Sequence, residues 1–119
     1  MSNNRDDFHA ALNSTNEIQM TFVGRKSGKR FSIPIWFVDD GDKMYLLPVG
    51  GTKSMWYKSI TKNPTIEFQA SGKQVSAKAR LTQDKKVVED IMNRFRSKYG
   101  AGDVKRYYPG QDAAVELSI

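Results

Sequence analysis

The chain has 119 residues, a length that fits one domain with a single hydrophobic core. Its 39% apolar and 27% charged residues are typical of a globular protein, and the absence of cysteine excludes disulfides, thiol nucleophiles and cysteine-ligated metals. The single histidine, His9, excludes a histidine zinc site, and a net charge of +6 favours an anionic partner such as nucleic acid, an acidic membrane surface or a phosphorylated small molecule.

The sequence does not predict a membrane span or a leader. The longest uninterrupted apolar run is residues 33–38, whereas a spanning helix needs about 20 such residues. Residues 1–7 lack the apolar stretch of a signal peptide. We therefore expect a cytoplasmic protein made of one domain, residues 1–119.

The first part of the chain is predicted to form a short helix followed by a strand. Residues 1–16 are polar, but Phe8, Ala11 and Leu12 fall at helical spacing, which predicts one or two turns packed on the body. Residues 17–23 alternate apolar and polar side chains, the pattern of a half-buried strand.

A basic turn follows this strand, with the sequence Gly24-Arg25-Lys26-Ser27-Gly28-Lys29. Such a turn can present backbone N–H groups, a hydroxyl and fixed positive charge at one place, which is the equipment for binding a phosphate. A Walker A loop is excluded because the glycine spacing is one residue short and a strand follows instead of a helix. The alternative is a basic hairpin turn that only helps solubility.

Residues 30–38 are predicted to form one strand with apolar side chains on both faces, so that it needs two covers. The barrel interior can be one, and a cofactor ring or a partner subunit the other. Exposure of Pro34, Trp36 and Val38 together would leave a patch that monomers rarely carry, and we therefore expect a homodimer with the cofactor near its interface. Pro34 has no N–H and indicates an edge or a bulge.

The middle of the chain contains a hairpin and a short helix. Residues 39–42 form a predicted tight turn, and residues 43–49 return as the partner strand. Ser54 is the expected N-cap of a helix over 55–62, which Asn63-Pro64 ends.

The last part of the chain is predicted to contain one long helix between strands. Asp84 caps that helix, which continues to residue 99 and stops at Gly100. Residues 103–110 are interpreted as a polar connector. The expected strands are 65–70, 73–82 and 112–119. Six strands with one long helix before the last predict a mainly β, α+β protein built as a small antiparallel barrel.

The order of several short motifs resembles one superfamily over roughly residues 17–119. The motifs are the Gly24–Gly28 turn, Pro34-Ile35-Trp36-Phe37, Gly50-Gly51, Lys53, Trp56-Tyr57 and Asn63-Pro64. They resemble the split β-barrel flavin-binding proteins, which include the pyridoxamine 5′-phosphate oxidase-like FMN proteins and the deazaflavin (factor 420)-dependent nitroreductases and quinone reductases. The first, fifth and sixth motifs look most like the deazaflavin branch.

This resemblance implies a cofactor site. Its phosphate would be held by Arg25, Lys26, Ser27 and Gly28, with Lys53 adding charge. Gly50 and Gly51 would let the backbone approach the cofactor, because a Cβ atom would block it. The other implied contacts are Pro34, Ile35, Trp36, Met55 and Trp56. Two alternatives stay open: Trp56 is a core residue, and the two glycines belong to an ordinary loop.

Two tyrosines are candidates for the acceptor side of the ring. Tyr107 and Tyr108 precede the turn pair Pro109-Gly110, so we expect them at a barrel rim. There an aromatic hydroxyl can stack on a planar acceptor and offer a proton. The alternative is that both pack on the helix over 84–99.

The resemblance implies an oxidoreductase that uses the deazaflavin coenzyme factor 420 or FMN to pass a hydride to a small unsaturated acceptor such as a quinone or a nitro compound. Such cofactors carry the chemistry themselves, which agrees with the lack of a nucleophile constellation in the sequence. Two alternatives are a small barrel that binds single-stranded nucleic acid and a cofactor carrier without turnover. The cations are scattered along the chain, so we expect no specific nucleic-acid partner.

Overall fold

The computed structural model describes residues 4–13, 15–41 and 43–118. Its elements are α1 (Asn4–Leu12), β1 (Ile18–Val23), β2 (Arg30–Ile35), β3 (Val38–Asp39), β4 (Lys43–Leu46), α2 (Met55–Lys62), β5 (Thr65–Ala70), β6 (Lys73–Thr82), α3 (Lys85–Tyr99), α4 (Ala101–Tyr107) and β7 (Ala114–Ser118). A 3₁₀ turn over Gly51–Lys53 precedes α2. The seven strands form one antiparallel, curled sheet in the order β2-β1-β5-β6-β7-β4-β3.

The prediction of one strand over 30–38 is wrong, and this explains why there are seven strands and not six. The chain leaves β2 after Ile35 and starts β3 at Val38, and these two strands lie at opposite edges of the sheet. The link Trp36–Phe37 therefore passes from one edge to the other. Pro34 does lie on an edge strand, as its missing N–H predicts.

Two hydrophobic cores cover the two faces of the sheet near β4. Met44 and Leu46 are buried in the main core, which the curled sheet encloses. Tyr45 and Leu47 point to a second core beneath α3 and α4. Because Trp36 and Val38 are half-buried against that second core, the second cover of this region lies within the chain, where we had expected a cofactor or a partner.

The two helices predicted from capping residues are confirmed. The Ser54 hydroxyl accepts a hydrogen bond from the Tyr57 N–H at the start of α2, and the Asp84 carboxylate accepts from two N–H groups of α3. Gly100 ends α3 with φ of 96°. The connector predicted over 103–110 is wrong in its first half, because α4 occupies residues up to Tyr107.

The predicted N-terminal helix is also confirmed, with Phe8 and Leu12 buried in the main core. The final strand ends at Ser118 in the structure, and Ile119, like Asp42 of the predicted turn and residues 1–3 and 14, lies outside the described residues. Within the part of the chain that the structure describes, no helix has the length and apolar character needed to cross a membrane.

Candidate functional site

An apolar pocket with a volume of about 530 Å³ opens beside the link between β2 and β3. Its size is suited to a ring-containing ligand. The walls come from the end of β2, from the segment between β4 and α2, and from the end of α4. They include four residues of the predicted site, Pro34, Ile35, Trp36 and Trp56, together with both predicted tyrosines, Tyr107 and Tyr108. We call this the aromatic pocket.

Trp36 forms one wall of the aromatic pocket and is held by other aromatic rings. It stacks on Tyr99, with ring centroids 4.2 Å apart and planes inclined by 6°. Tyr107 and Tyr108 meet it edge to face, at centroid distances of 5.4 and 6.4 Å. Tyr99 is the last residue of the helix predicted over 84–99, but nothing in the sequence indicated that its ring would reach Trp36.

Trp56 serves as a core residue and as a pocket wall at once. Only 8% of its surface is exposed, and it belongs to the main core, in agreement with the alternative interpretation. It also lines the aromatic pocket, as the resemblance implies. Its neighbour Met55 is 64% exposed and does not line this pocket.

The two tyrosines differ in their environments. Tyr107 is 44% exposed at the rim, whereas Tyr108 is 4% exposed and packs edge to face on Phe95 of α3. Burial raises the pKa of Tyr108, so that its hydroxyl keeps its proton at neutral pH. Both tyrosines line the pocket, and Tyr108 also packs on the long helix as the alternative interpretation predicted.

The basic turn, residues 24–29, is closed by its own backbone. The Gly24 N–H donates to the Lys29 carbonyl at 2.8 Å, and the Gly28 N–H donates to the Gly24 carbonyl at 3.1 Å. Gly28 has φ of 69°, which a side chain would disfavour. The Ser27 Oγ accepts the Lys29 N–H at 3.2 Å, a bond that leaves the hydroxyl hydrogen available to an anion.

The side chains of the basic turn face solvent, and one further cation joins them. Arg25, Lys26 and Lys29 are exposed. The Lys62 ammonium, at the end of α2, lies 3.4 Å from the Arg25 carbonyl oxygen. Lys62 was missed in the sequence because it precedes Asn63-Pro64, 37 residues beyond Arg25. Together these groups make an open cationic surface.

The basic turn and the aromatic pocket lie at opposite ends of one hairpin. In the pairing of β1 with β2, Val23 faces Arg30 beside the turn, and Ile18 faces Ile35 beside the pocket. The six residues of β2 cover roughly 17 Å at about 3.3 Å per residue. The predicted site therefore consists of two parts joined by an edge strand.

The Gly50-Gly51 pair has a structural reason that the resemblance did not imply. Both residues have positive φ, 87° and 60°. A Cβ atom on Gly51 would lie 2.0 Å from the Asp112 Oδ1. The Asp112 carboxylate accepts from the Thr52 N–H at 2.9 Å and from the Thr52 hydroxyl at 2.8 Å, and these bonds lower its pKa. The space beside Gly51 is thus filled by the chain itself, and neither glycine lines the aromatic pocket.

Two lysines near the site, Lys53 and Lys98, differ in their exposure to solvent. Lys53 is exposed on the 3₁₀ turn and its charge helps to lower the pKa of Asp112. The Lys98 ammonium donates to the Phe37 carbonyl at 2.7 Å and lies 3.5 Å from the centre of the Phe37 ring. Burial lowers the pKa of Lys98 to about 8, partly offset by Asp39.

Comparison with known proteins places the chain in a family. Residues 9–115 match the family described as "Uncharacterized protein conserved in bacteria (DUF2255)". The chain belongs to the DUF2255 family. No curated protein gives a significant match.

The structure of this DUF2255 protein is similar to several solved structures. An F420-H2-dependent reductase (FDR-A) is 19% identical with a TM-score of 0.67, over 87% of this chain and 94% of that chain. A putative pyridoxamine 5′-phosphate oxidase from Listeria innocua is 16% identical with a TM-score of 0.66, over 94% and 90%. The haem storage protein HutZ from Vibrio cholerae is 11% identical with a TM-score of 0.71, over 98% and 90%. These similarities confirm the split-barrel fold.

Proposed function

We propose that this DUF2255 protein is a flavin-type oxidoreductase that binds factor 420 or FMN and reduces a small unsaturated acceptor such as a quinone or a nitro compound. The observation that carries the proposal is the placement of an aromatic pocket and a cationic turn at the two ends of β2. A cofactor of this kind carries a planar ring and a phosphate at the two ends of a flexible chain, and the aromatic pocket and the basic turn lie at the two ends of β2. The similarity to a reductase named for F420-H2 and to a putative pyridoxamine 5′-phosphate oxidase supports it.

The residues present fit such a group. Trp36, Trp56 and Pro34 offer flat, apolar surface for a ring. Arg25 and Lys26 offer exposed positive charge for a phosphate, and the Ser27 hydroxyl offers a donor. Gly51 does not fit a role in backbone approach to the cofactor, because Asp112 fills the space that its missing Cβ leaves.

The chain's own contribution to the reaction is binding, orientation and a hydrogen bond to the acceptor. When bound, a reduced ring of this kind supplies two electrons to the acceptor as a hydride. Tyr107, exposed at the rim, is placed to stack on a planar acceptor, and the protonated hydroxyl of Tyr108 can donate a hydrogen bond to an acceptor oxygen.

The phosphate contact is tested by removing two cations from the basic turn. The double variant Arg25→Ala/Lys26→Ala is expected to bind F420 and FMN more weakly by about 2–3 kcal/mol, since charge-assisted bonds are lost. Both side chains are exposed, so the free energy of unfolding should stay within about 0.5 kcal/mol of wild type. Fluorescence titration with each cofactor measures the affinity.

The matched control is Lys85→Ala/Lys86→Ala, which removes two consecutive exposed cations at the start of α3 and changes the net charge equally. It should bind both cofactors as wild type does. Equal weakening in the two double variants would assign the effect to net charge alone and contradict a phosphate site at the basic turn.

The two tyrosines are tested by turnover. With a quinone and saturating reduced cofactor, Tyr108→Phe is expected to lower kcat by about tenfold, because the hydrogen bond from its hydroxyl to the acceptor oxygen is lost, with cofactor affinity unchanged. Tyr107→Phe keeps the exposed ring and should change kcat by less than about threefold. If both variants turn over as wild type does, the Tyr108 hydroxyl does not assist the reaction. If the wild type itself does not turn over, the result points to a cofactor carrier.

A cofactor carrier is the second candidate, favoured by the similarity to a protein named for haem storage. Haem would need an axial ligand, and the lining of the aromatic pocket includes no histidine; His9 instead contacts Asp39 at 2.9 Å. Visible absorbance spectra after incubation with haem, FMN and F420 separate these ligands.

A nucleic-acid function is not supported by the site. Single strands stack on exposed aromatic rings, but two aromatic residues of the strand region are engaged in packing: Tyr45 is 8% exposed, and Trp36 stacks on Tyr99. Arg30 pairs with Glu67. A homodimer stays part of the proposal. Its ground is now that three of the five large exposed apolar side chains among the described residues, Val49, Met55 and Tyr107, belong to the segments that form the aromatic pocket.

A further inference from the structure

The link Trp36–Phe37 is held by a helix where strand pairing stops. The pairs of β2 end at Ile35 and those of β3 begin at Val38. The Phe37 N–H instead donates to the Tyr99 hydroxyl at 3.0 Å. The Phe37 carbonyl accepts from the Lys98 ammonium at 2.7 Å and lies 2.9 Å from the Tyr99 hydroxyl. The last turn of α3 thus satisfies both peptide groups of Phe37, which a strand would otherwise have paired.

Tyr99 joins this backbone contact to the wall of the aromatic pocket. Its ring stacks on Trp36 with nearly parallel planes, and its hydroxyl also lies 2.8 Å from the Asn16 carbonyl, just before β1. Burial raises the pKa of Tyr99 to about 12, so the hydroxyl keeps the proton that these carbonyls share. One side chain therefore fixes the link in both position and plane, although Tyr99 itself does not line the pocket.

We propose that Tyr99 is a positioning residue of the aromatic pocket, which fixes Trp36 as a preformed wall for a planar ligand without touching that ligand. The identity of the ligand as a flavin-type ring rests on the proposed function. The positioning role rests on the contacts above. A wall fixed before binding does not have to be ordered by the ligand, so affinity should fall when the hydroxyl is removed.

The test is Tyr99→Phe, which keeps the stacked ring and removes only the hydroxyl. In a Trp56→Phe background, Trp36 is the only tryptophan of the chain, so that tryptophan fluorescence reports the environment of Trp36 alone. We expect acrylamide quenching of Trp36 to rise about twofold and the Phe37 amide to exchange faster, since its acceptor is gone. In the single Tyr99→Phe variant, which keeps Trp56, binding of FMN and F420 should weaken about tenfold. The KM for the cofactor should change more than kcat does.

The matched control is Val88→Ala on the same helix. Val88 is 5% exposed in the second core and lies in the first turn of α3, whereas Tyr99 is its last residue, so the truncation removes core contacts at the far end of the helix and no bond to Phe37. In Val88→Ala, the acrylamide quenching of Trp36, the exchange rate of the Phe37 amide and the cofactor affinity should equal those of the protein without this substitution. Tyr99→Leu removes both the ring and the hydroxyl. It should therefore change Trp36 quenching, Phe37 amide exchange and cofactor affinity more than Tyr99→Phe does.

Two outcomes overturn the inference: unchanged quenching and exchange in Tyr99→Phe, or equal changes in Tyr99→Phe and Val88→Ala. Should the Trp56→Phe background fail to fold, exchange of the Phe37 amide in the single Tyr99→Phe variant gives the same decision. If neither FMN nor F420 binds the wild type, the proposed function fails, while quenching and exchange still decide whether Tyr99 holds Trp36.

Discussion

Phe37→Ala is expected to lower the free energy of unfolding by about 3–5 kcal/mol, the usual cost of truncating a buried phenylalanine. The side chain is 1% exposed in the main core, and its ring also lies beneath the Lys98 ammonium. Truncation leaves a cavity at the link between the two edges of the sheet. Urea unfolding followed by circular dichroism measures the change, with the denaturant slope compared between variants to confirm two-state behaviour.

Phe31→Ala is the matched control for this variant. The sequence places Phe31 and Phe37 on the same strand face, but Phe31 is 36% exposed and stacks on Phe22 at 5.6 Å. Its truncation should cost about 1 kcal/mol, because less of its surface is removed from water. Equal losses for the two variants would contradict the difference in burial between Phe31 and Phe37.

Gly51→Ala is expected to lower the free energy of unfolding by about 2–3 kcal/mol, since positive φ and a close contact both oppose the new side chain. The Cβ would lie 2.0 Å from the Asp112 Oδ1, and Asp112 is held in place by Thr52. Either the carboxylate or the loop has to move. The same urea experiment gives the loss.

Two further variants separate the causes. Gly50→Ala has equally unfavourable φ but meets no atom closer than 4.0 Å, so it should cost only about 1 kcal/mol. In the double variant Gly51→Ala/Asp112→Ala the contact is absent. Its loss in free energy of unfolding should be smaller by roughly 1 kcal/mol than the sum of the losses of the two single variants. If the loss in the double variant equals the sum of the two single losses, the contact with Asp112 is not the reason that residue 51 must be glycine.

The pocket of this DUF2255 protein was foreseen only as a set of residues. Trp36, Trp56 and the two tyrosines appear in the sequence as separate motifs, and the resemblance supplied the expectation that they meet. Their mutual distances depend on α4, which was predicted as a connector, and on Tyr99, which was predicted only as the end of the long helix. Gly51 shows the opposite case: the residue type was noted, but its reason depends on Asp112, 61 residues later in the chain.

The sequence by itself determined the elements whose causes are local. Ser54 and Asp84 satisfy N–H groups within three residues of themselves, and Gly100 supplies the positive φ that ends α3. The basic turn is likewise closed by hydrogen bonds within its own residues. Such causes can be read from a short stretch because every interacting group belongs to that stretch.

The tertiary structure alone decided where residues 30–38 divide. Their apolar pattern suits a continuous strand with two covers equally well as two short strands at opposite edges of a curled sheet. The choice depends on partners for the peptide groups of Phe37, and these come from Lys98 and Tyr99, 61 and 62 residues away. A buried backbone N–H or carbonyl can leave strand pairing only where another group hydrogen-bonds to it. The break between β2 and β3 therefore forms where α3 packs against the chain. This break in turn sets the position of Trp36.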